Sequence, residues 1–150
     1  MKAIITAGVA IVALSSMSVA VARDDYLSFP VKDALAKGQT TKDRLDPEIP
    51  LYFGKQKTAV VEKRLGEYSS ARNTNGVGKS DKEACEIAFV SAAISLQSRA
   101  RKEGGNAVIN IESTHPGQDP GSVSEYRCHA GTFHVGVGLR GTVVTLKKGK

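Results

Sequence analysis

The chain has 150 residues, 21 basic and 15 acidic side chains, a formal charge of +6, two cysteines and no tryptophan. That length suits one domain with one modest core. Acids are interspersed among the bases, as in Lys42-Asp43-Arg44 and Glu62-Lys63-Arg64, which excludes the dense cationic arm of a nucleic-acid binder and leaves a mildly basic surface that favours anionic partners.

At the start of the chain, Lys2 precedes an apolar run from Ala3 to about Leu14, then small residues ending in Ala20-Val21-Ala22. This is the pattern of a secretory signal peptide over residues 1–22 with an A-x-A cleavage site. The run is shorter than the roughly 20 apolar residues that a bilayer-spanning helix needs. No cysteine lies at the junction, so no lipid attachment is expected. The mature chain is therefore expected to begin at Arg23, to lack a transmembrane segment and to reside in the periplasm or outside the cell.

Residues 23–56 are polar and broken by Pro30, Gly38, Pro47, Pro50 and Gly54, and read as an irregular arm. Only a short helix over Val31–Lys37 and, over Leu51–Phe53, a short strand or an apolar plug fit within it. Residues 57–146 form the predicted domain. Val60, Val61, Leu65 and Tyr68 mark a first strand over Thr58–Tyr68, and Ser69 to Gly78 a polar turn.

The strongest element is a helix from Ser80. Ser80-Asp81-Lys82-Glu83 is a capping box, Arg101 and Lys102 suit the negative last turn, and Gly104 supplies a left-handed stop. Between them the helix is apolar nearly all round for three turns, so cover on more than one side is expected. Asn106–Ser113 alternates as a second strand, with Ala107, Ile109 and Ile111 on one side. His115–Ser124 holds two prolines and two glycines and reads as an exposed loop.

A third strand is expected over Glu125–Leu139, continued or followed by Thr142–Leu146, before a basic tail at 147–150. On one unbroken strand Cys128, Ala130, Thr132, His134, Gly136 and Gly138 share a face, whose small residues would let the alanine-rich helix approach. The expected fold is α+β in the order β-α-β-β, one long helix on a small, mostly antiparallel sheet. Cys85 and Cys128, an even count in an oxidising compartment, are expected to form one disulfide between helix and strand.

Gly76-Val77-Gly78-Lys79-Ser80 stands where a phosphate loop belongs, between a strand and a helix. A phosphate loop needs G-x-x-x-x-G-K-[ST], and the first glycine is here Asn73. Gly78, Lys79 and Ser80 remain a candidate anion site at a helix start. His129 and His134, five apart on one strand, would fall on opposite faces, so no metal site is expected. No G-x-S-x-G, C-x-x-C or H-E-x-x-H pattern occurs, and no catalytic set is expected.

LYFGKQ (Leu51 to Gln56), GKSDKEAC (Gly78 to Cys85), GGNAVINI (Gly104 to Ile111) and EYRCHAG (Glu125 to Gly131) resemble segments of small exported bacterial proteins of unknown function, commonly labelled as excinuclease ATPase subunits. The resemblance covers nearly all of the chain after the leader. The label fits only the G-V-G-K-S stretch, because a true excinuclease ATPase is a large cytoplasmic protein with complete nucleotide sites and zinc cysteines. The helix, the glycine turn with Asn106-Ala107-Val108 and the cysteine-bearing strand are also similar to the RcsF envelope-stress sensor and YbjQ-like domains. That similarity implies a small α+β domain that works by contact, with a link to envelope stress. The chain departs from it in lacking a lipid-attachment cysteine and in having only two cysteines.

The expectation is a non-catalytic binding or interaction protein of the cell envelope, partnered by an envelope protein or an anionic envelope polymer, with no nucleic acid, cofactor or metal. The alternative is a nucleotide- or phosphate-binding protein using the incomplete G-V-G-K-S loop.

Overall fold

A computed structural model describes residues 20–40 and 44–149. The leader expected over residues 1–22 lies mostly outside the described residues, as does Lys150 at the end of the basic tail. The fold is α+β, with two helices, one disulfide and a curled mixed sheet. In chain order the elements are β1 (Asp24–Pro30), α1 (Val31–Thr40), β2 (Leu51–Phe53), β3 (Val61–Asn75), α2 (Asp81–Lys102), β4 (Ala107–Ser113), β5 (Glu125–Gly131) and β6 (His134–Leu146). Among the described residues no helix is long and apolar enough to cross a membrane.

Helix α2 begins and ends where its sequence signals lie. Ser80 has extended backbone and its Oγ accepts from the Glu83 amide at 3.2 Å, satisfying one of the orphan donors of the first turn. At the other end Gly104 has φ 77°, the Gly104 amide donates to the Arg101 carbonyl at 3.1 Å, and the Gly105 amide to Ala100 at 2.8 Å. These two bonds form a Schellman stop, which glycine reaches without the Cβ penalty of other residues.

The helix is covered on two sides, as its nearly continuous apolar surface requires. One side lies on the sheet and the other against α1, whose Val31, Ala34 and Gly38 are buried. Ala84, Ala88, Ala92 and Ala93 are fully buried, and their short side chains let the backbones approach. Phe89 reaches across the core between Tyr126 and Phe53, with ring centroids at 4.4 and 5.7 Å. Burying a side chain of this size contributes roughly 1.5–3 kcal/mol.

Strand β6 is the spine of the sheet. Strand β3 pairs with it along one whole edge, from Val61↔Leu146 to Asn75↔His134. The other edge is shared, with β5 at its start and β4 along the rest, both antiparallel. Strand β1 then adds to β5, and β2 adds parallel to β4. The segment 23–56 is thus no irregular arm, since it supplies two strands and a ten-residue helix. The sheet is larger than expected, and the parallel β2–β4 pair makes it mixed.

Two further expectations are corrected. The segment expected as one strand over Glu125–Leu139 is a hairpin, with Gly131 and His134 flanking the turn residues Thr132 and Phe133. Gly136 and Gly138 consequently face away from α2. A Cβ at Gly136 would meet Asn73 Oδ1 and one at Gly138 would meet Thr114 Oγ1, so these glycines admit the neighbouring strand and loop, not the helix. The polar stretch from Ser69 to Asn75, expected as part of a turn, is strand, because an edge strand exposed to water needs no apolar pattern.

Strand β4 also departs from simple alternation. Asn110 has φ 52°, and the register with β6 shifts between Ile109 and Glu112. Asparagine tolerates this left-handed conformation better than most residues. The bulge sends Val108 and Ile111 into the main core under α2, while Ala107 and Ile109 pack with Val144 and Leu146 in a second small cluster on the other face.

Candidate functional site

The two cysteines form the expected disulfide, joining the first turns of α2 to β5 with a Cα separation of 5.9 Å. Both residues are 0% exposed, so no reductant reaches the sulfurs without local opening. The bond is a staple in the core.

At the start of α2 the G-V-G-K-S residues have local partners. Ser80 Oγ is occupied by the Glu83 amide, and Lys79 Nζ donates to the Asn75 carbonyl at 3.2 Å. Gly78 has φ 75° and serves the turn. Asp81 and Glu83 already place carboxylates in the positive first turn, where they compete with any incoming anion.

The same end of the molecule carries an exposed surface that sequence reasoning did not foresee. Phe133, at the tip of the β5–β6 hairpin, is 64% exposed, and Val77, in the loop before α2, is 60% exposed. The Gly76 amide donates to the Phe133 carbonyl at 2.9 Å, which fixes the two tips side by side. The missed signal was the turn itself. Thr132-Phe133 has none of the Asn-Gly or Asp-Gly chemistry that usually announces a two-residue hairpin.

Beside Phe133 lies a cleft of about 420 Å³, lined among others by Arg23, Asn73, His129, Thr132 and His134. His129 and His134 were expected on opposite faces. Because they sit on two strands of a hairpin, with His129 paired to Gly136, both reach the same cleft. Among the described residues no group of three or more His, Cys, Asp or Glu side chains is arranged to hold a metal ion.

The charges around this cleft are mutually engaged. The Arg23 guanidinium forks onto Asp81 at 3.0 and 2.6 Å, and its Nε donates to Asp25. These bonds hold the guanidinium charged and the Asp81 carboxyl below the usual carboxylate range, first through the hydrogen bond itself. The Arg23 amide donates to Thr132 Oγ1 at 3.0 Å, and His129 Nε2 pairs with Asp24. The entry of the chain into β1 is thereby tied to both the hairpin and the helix start.

Behind the cleft, on the face of β1 and β5 turned away from α2, Tyr26, His115 and His129 form a ring cluster with centroids 5.2 to 6.3 Å apart. Arg127 closes it, donating to the Pro116 carbonyl at 3.0 Å and to Ser28 Oγ at 3.1 Å. Burial holds the His115 imidazole below the ordinary histidine range, and the nearby His129 and Arg127 act in the same direction, against a hydrogen bond to the Gly136 backbone.

A second cleft, of about 440 Å³, opens between α1, the segment before β2 and α2. Its floor is Gln97, 4% exposed, whose amide spans the gap. Gln97 Oε1 accepts from the Asp46 amide at 2.9 Å, while Nε2 donates to the Asp46 and Ile49 carbonyls at 2.9 and 2.7 Å. Both of its amide protons and one oxygen lone pair position that segment, and Arg101 adds ion pairs to Asp46 and Glu48.

Neither a family model nor a curated protein gives a significant match to this chain.

Proposed function

We propose that the chain is a non-catalytic interaction module of the cell envelope, working in the periplasm after loss of residues 1–22. It presents the Phe133–Val77 end to a protein partner. The observation that carries this reading is the exposed Phe133, held beside Val77 by a backbone hydrogen bond. Phe29, Phe53 and Phe89 pack with the core, so one of the chain's four phenylalanines is left in water on a rigid tip. Aromatic side chains on preorganised tips are efficient contact residues, because little entropy is lost on docking.

The compartment is supported by the leader pattern and by the fully buried disulfide, which suits an oxidising space. The reading accords with the resemblance to envelope domains that act by contact.

The test is made in cells expressing the full chain. Intact mass should show a chain starting at Arg23 with no free thiol, recovered from the periplasmic fraction. A photo-crosslinker at position 133 should yield one discrete adduct with an envelope protein, and a crosslinker at exposed Lys57 should yield none. A full-length, reduced chain in the cytoplasm overturns the compartment. The absence of any adduct specific to position 133 overturns the contact surface.

A further inference from the structure

The opposite end of α2 carries a different surface. There β3 begins and β6 ends, with Val61 paired to Leu146 and the Lys147 amide donating to the Val60 carbonyl at 2.8 Å. The end of α2 is fastened to the same place, since Asn106, just past its glycine stop, bonds the backbone of Leu146 at 2.7 and 2.9 Å. Lys63, Arg64, Lys102, Lys147 and Lys148 therefore converge on one pole of the molecule, all exposed. None of the five takes part in an ion pair among the described residues. Glu62 is adjacent in β3, and Glu103, at the helix end, is held by Arg99.

At this pole lies an apolar notch of about 390 Å³, formed by Ala59, Val60, Lys147, Lys148 and Gly149, with Val60 69% exposed. The helix N-terminus offers the contrast, for Asp25, Asp33 and Asp81 are there bound to Arg23 and Lys82. Five exposed cations without ion pairs among the described residues thus lie near one end of α2, a helix of 22 residues and about 33 Å, and the exposed phenylalanine lies toward its other end.

We infer that this basic pole docks on the surface of an anionic phospholipid bilayer. A group of lysines and one arginine complements the negative surface potential of such a membrane, each contributing about a fivefold gain in binding within a Debye length. Val60, beside Lys147 and Lys148 in the notch, is placed to meet the interfacial region. A protein docked in this way holds the Phe133 end away from the bilayer, facing a partner. The inference rests on the envelope location proposed above but not on the identity of that partner.

The test is co-sedimentation of the exported protein, purified from the envelope fraction, with vesicles of phosphatidylcholine alone or with phosphatidylglycerol added. Binding should require phosphatidylglycerol and should fall steeply as salt rises from about 0.05 to 0.5 M. The double variant Lys147→Gln/Lys148→Gln should bind about 25-fold more weakly at low salt. Lys79→Gln, at the other pole, should stay within about twofold of the parent, since it lies some three Debye lengths from the membrane. Equal retention on both vesicle types, or equal binding of the double variant and the parent, overturns the inference. Loss of vesicle binding with the position-133 adduct intact removes this inference alone, whereas loss of the adduct with vesicle binding intact removes only the partner surface.

Discussion

The two ends of α2 solve the same problem differently. At the N-terminal end the helix is fixed to the sheet covalently by Cys85–Cys128, and the charges nearby are consumed in internal pairs such as Arg23–Asp81 and Lys82–Asp33. At the C-terminal half the attachment is by hydrogen bonds, from Gln97 to the segment around Asp46 and from Asn106 to β6, and the outermost cations are left without carboxylates. Stability and availability are therefore traded along one helix. The difference teaches that internally neutralised charge serves the fold, and that charge left over is free to act on the surroundings.

The largest expected effect comes from breaking the covalent end. Replacing both Cys85 and Cys128 by alanine opens a loop of separation 43 and should lower unfolding free energy by about 4 kcal/mol, read from urea denaturation. A loss below about 1 kcal/mol would mean that packing alone holds that end. Next in size is Gln97→Leu, which keeps the volume but leaves the Asp46 amide and the Asp46 and Ile49 carbonyls without partners. The expected cost is about 2 kcal/mol, with faster hydrogen exchange confined to residues 46–51.

A smaller effect of opposite sign sharpens the comparison. Tyr126 is buried between Phe29 and Phe89, and its hydroxyl has no hydrogen-bond partner among the described residues. Burial pushes its ionisation well above the ordinary tyrosine range, and the nearby Glu86 and Asp33 carboxylates add to it. Tyr126→Phe removes an unsatisfied group at no loss of packing, so stability should rise by about 1 kcal/mol in thermal unfolding.

Acid should produce the smallest effect and distinguish the ends. The folded-state value of His115 is depressed by burial, so its contribution is present above about pH 6.5 and is lost as pH falls through the folded value. Asp81 and Asp46 are depressed chiefly by hydrogen bonds from Arg23 and Arg101, so their contributions are present above about pH 4 and are lost only below it. As pH falls below about 6.5, amide protection corrected for the intrinsic exchange rate should weaken in β5 and the loop after β4 while the Asn106 contacts stay protected. His115→Gln should abolish that change.

What the sequence disclosed was local, and what it concealed was long-range. Ser80 and Gly104 bound α2 correctly because capping chemistry is written within a few residues. The cysteine pair was readable from its even count and the expectation of an oxidising compartment. Strand β1 was not, because Asp24–Pro30 has little apolar pattern and its partner β5 lies about a hundred residues later, with Tyr26 opposite His129. The Asn110 bulge was hidden for a similar reason. Alternation puts Ile109 and Ile111 on one face, and only the register with β6 turns them to opposite cores. The Phe133 tip and the shared cleft of His129 and His134 depended on a turn without its usual residues, so the candidate surface became visible only with the hairpin.

The placement of β1 has a consequence for how the chain is assembled. It is the earliest strand to be delivered and the outermost in the sheet, yet it has nothing to pair with until β5 arrives near the end. Oxidation of Cys85 must likewise wait for Cys128. A chain wired in this order completes its sheet only once almost all of it is present, so residues 24–30 stay unpaired and open to chaperones and proteases until then.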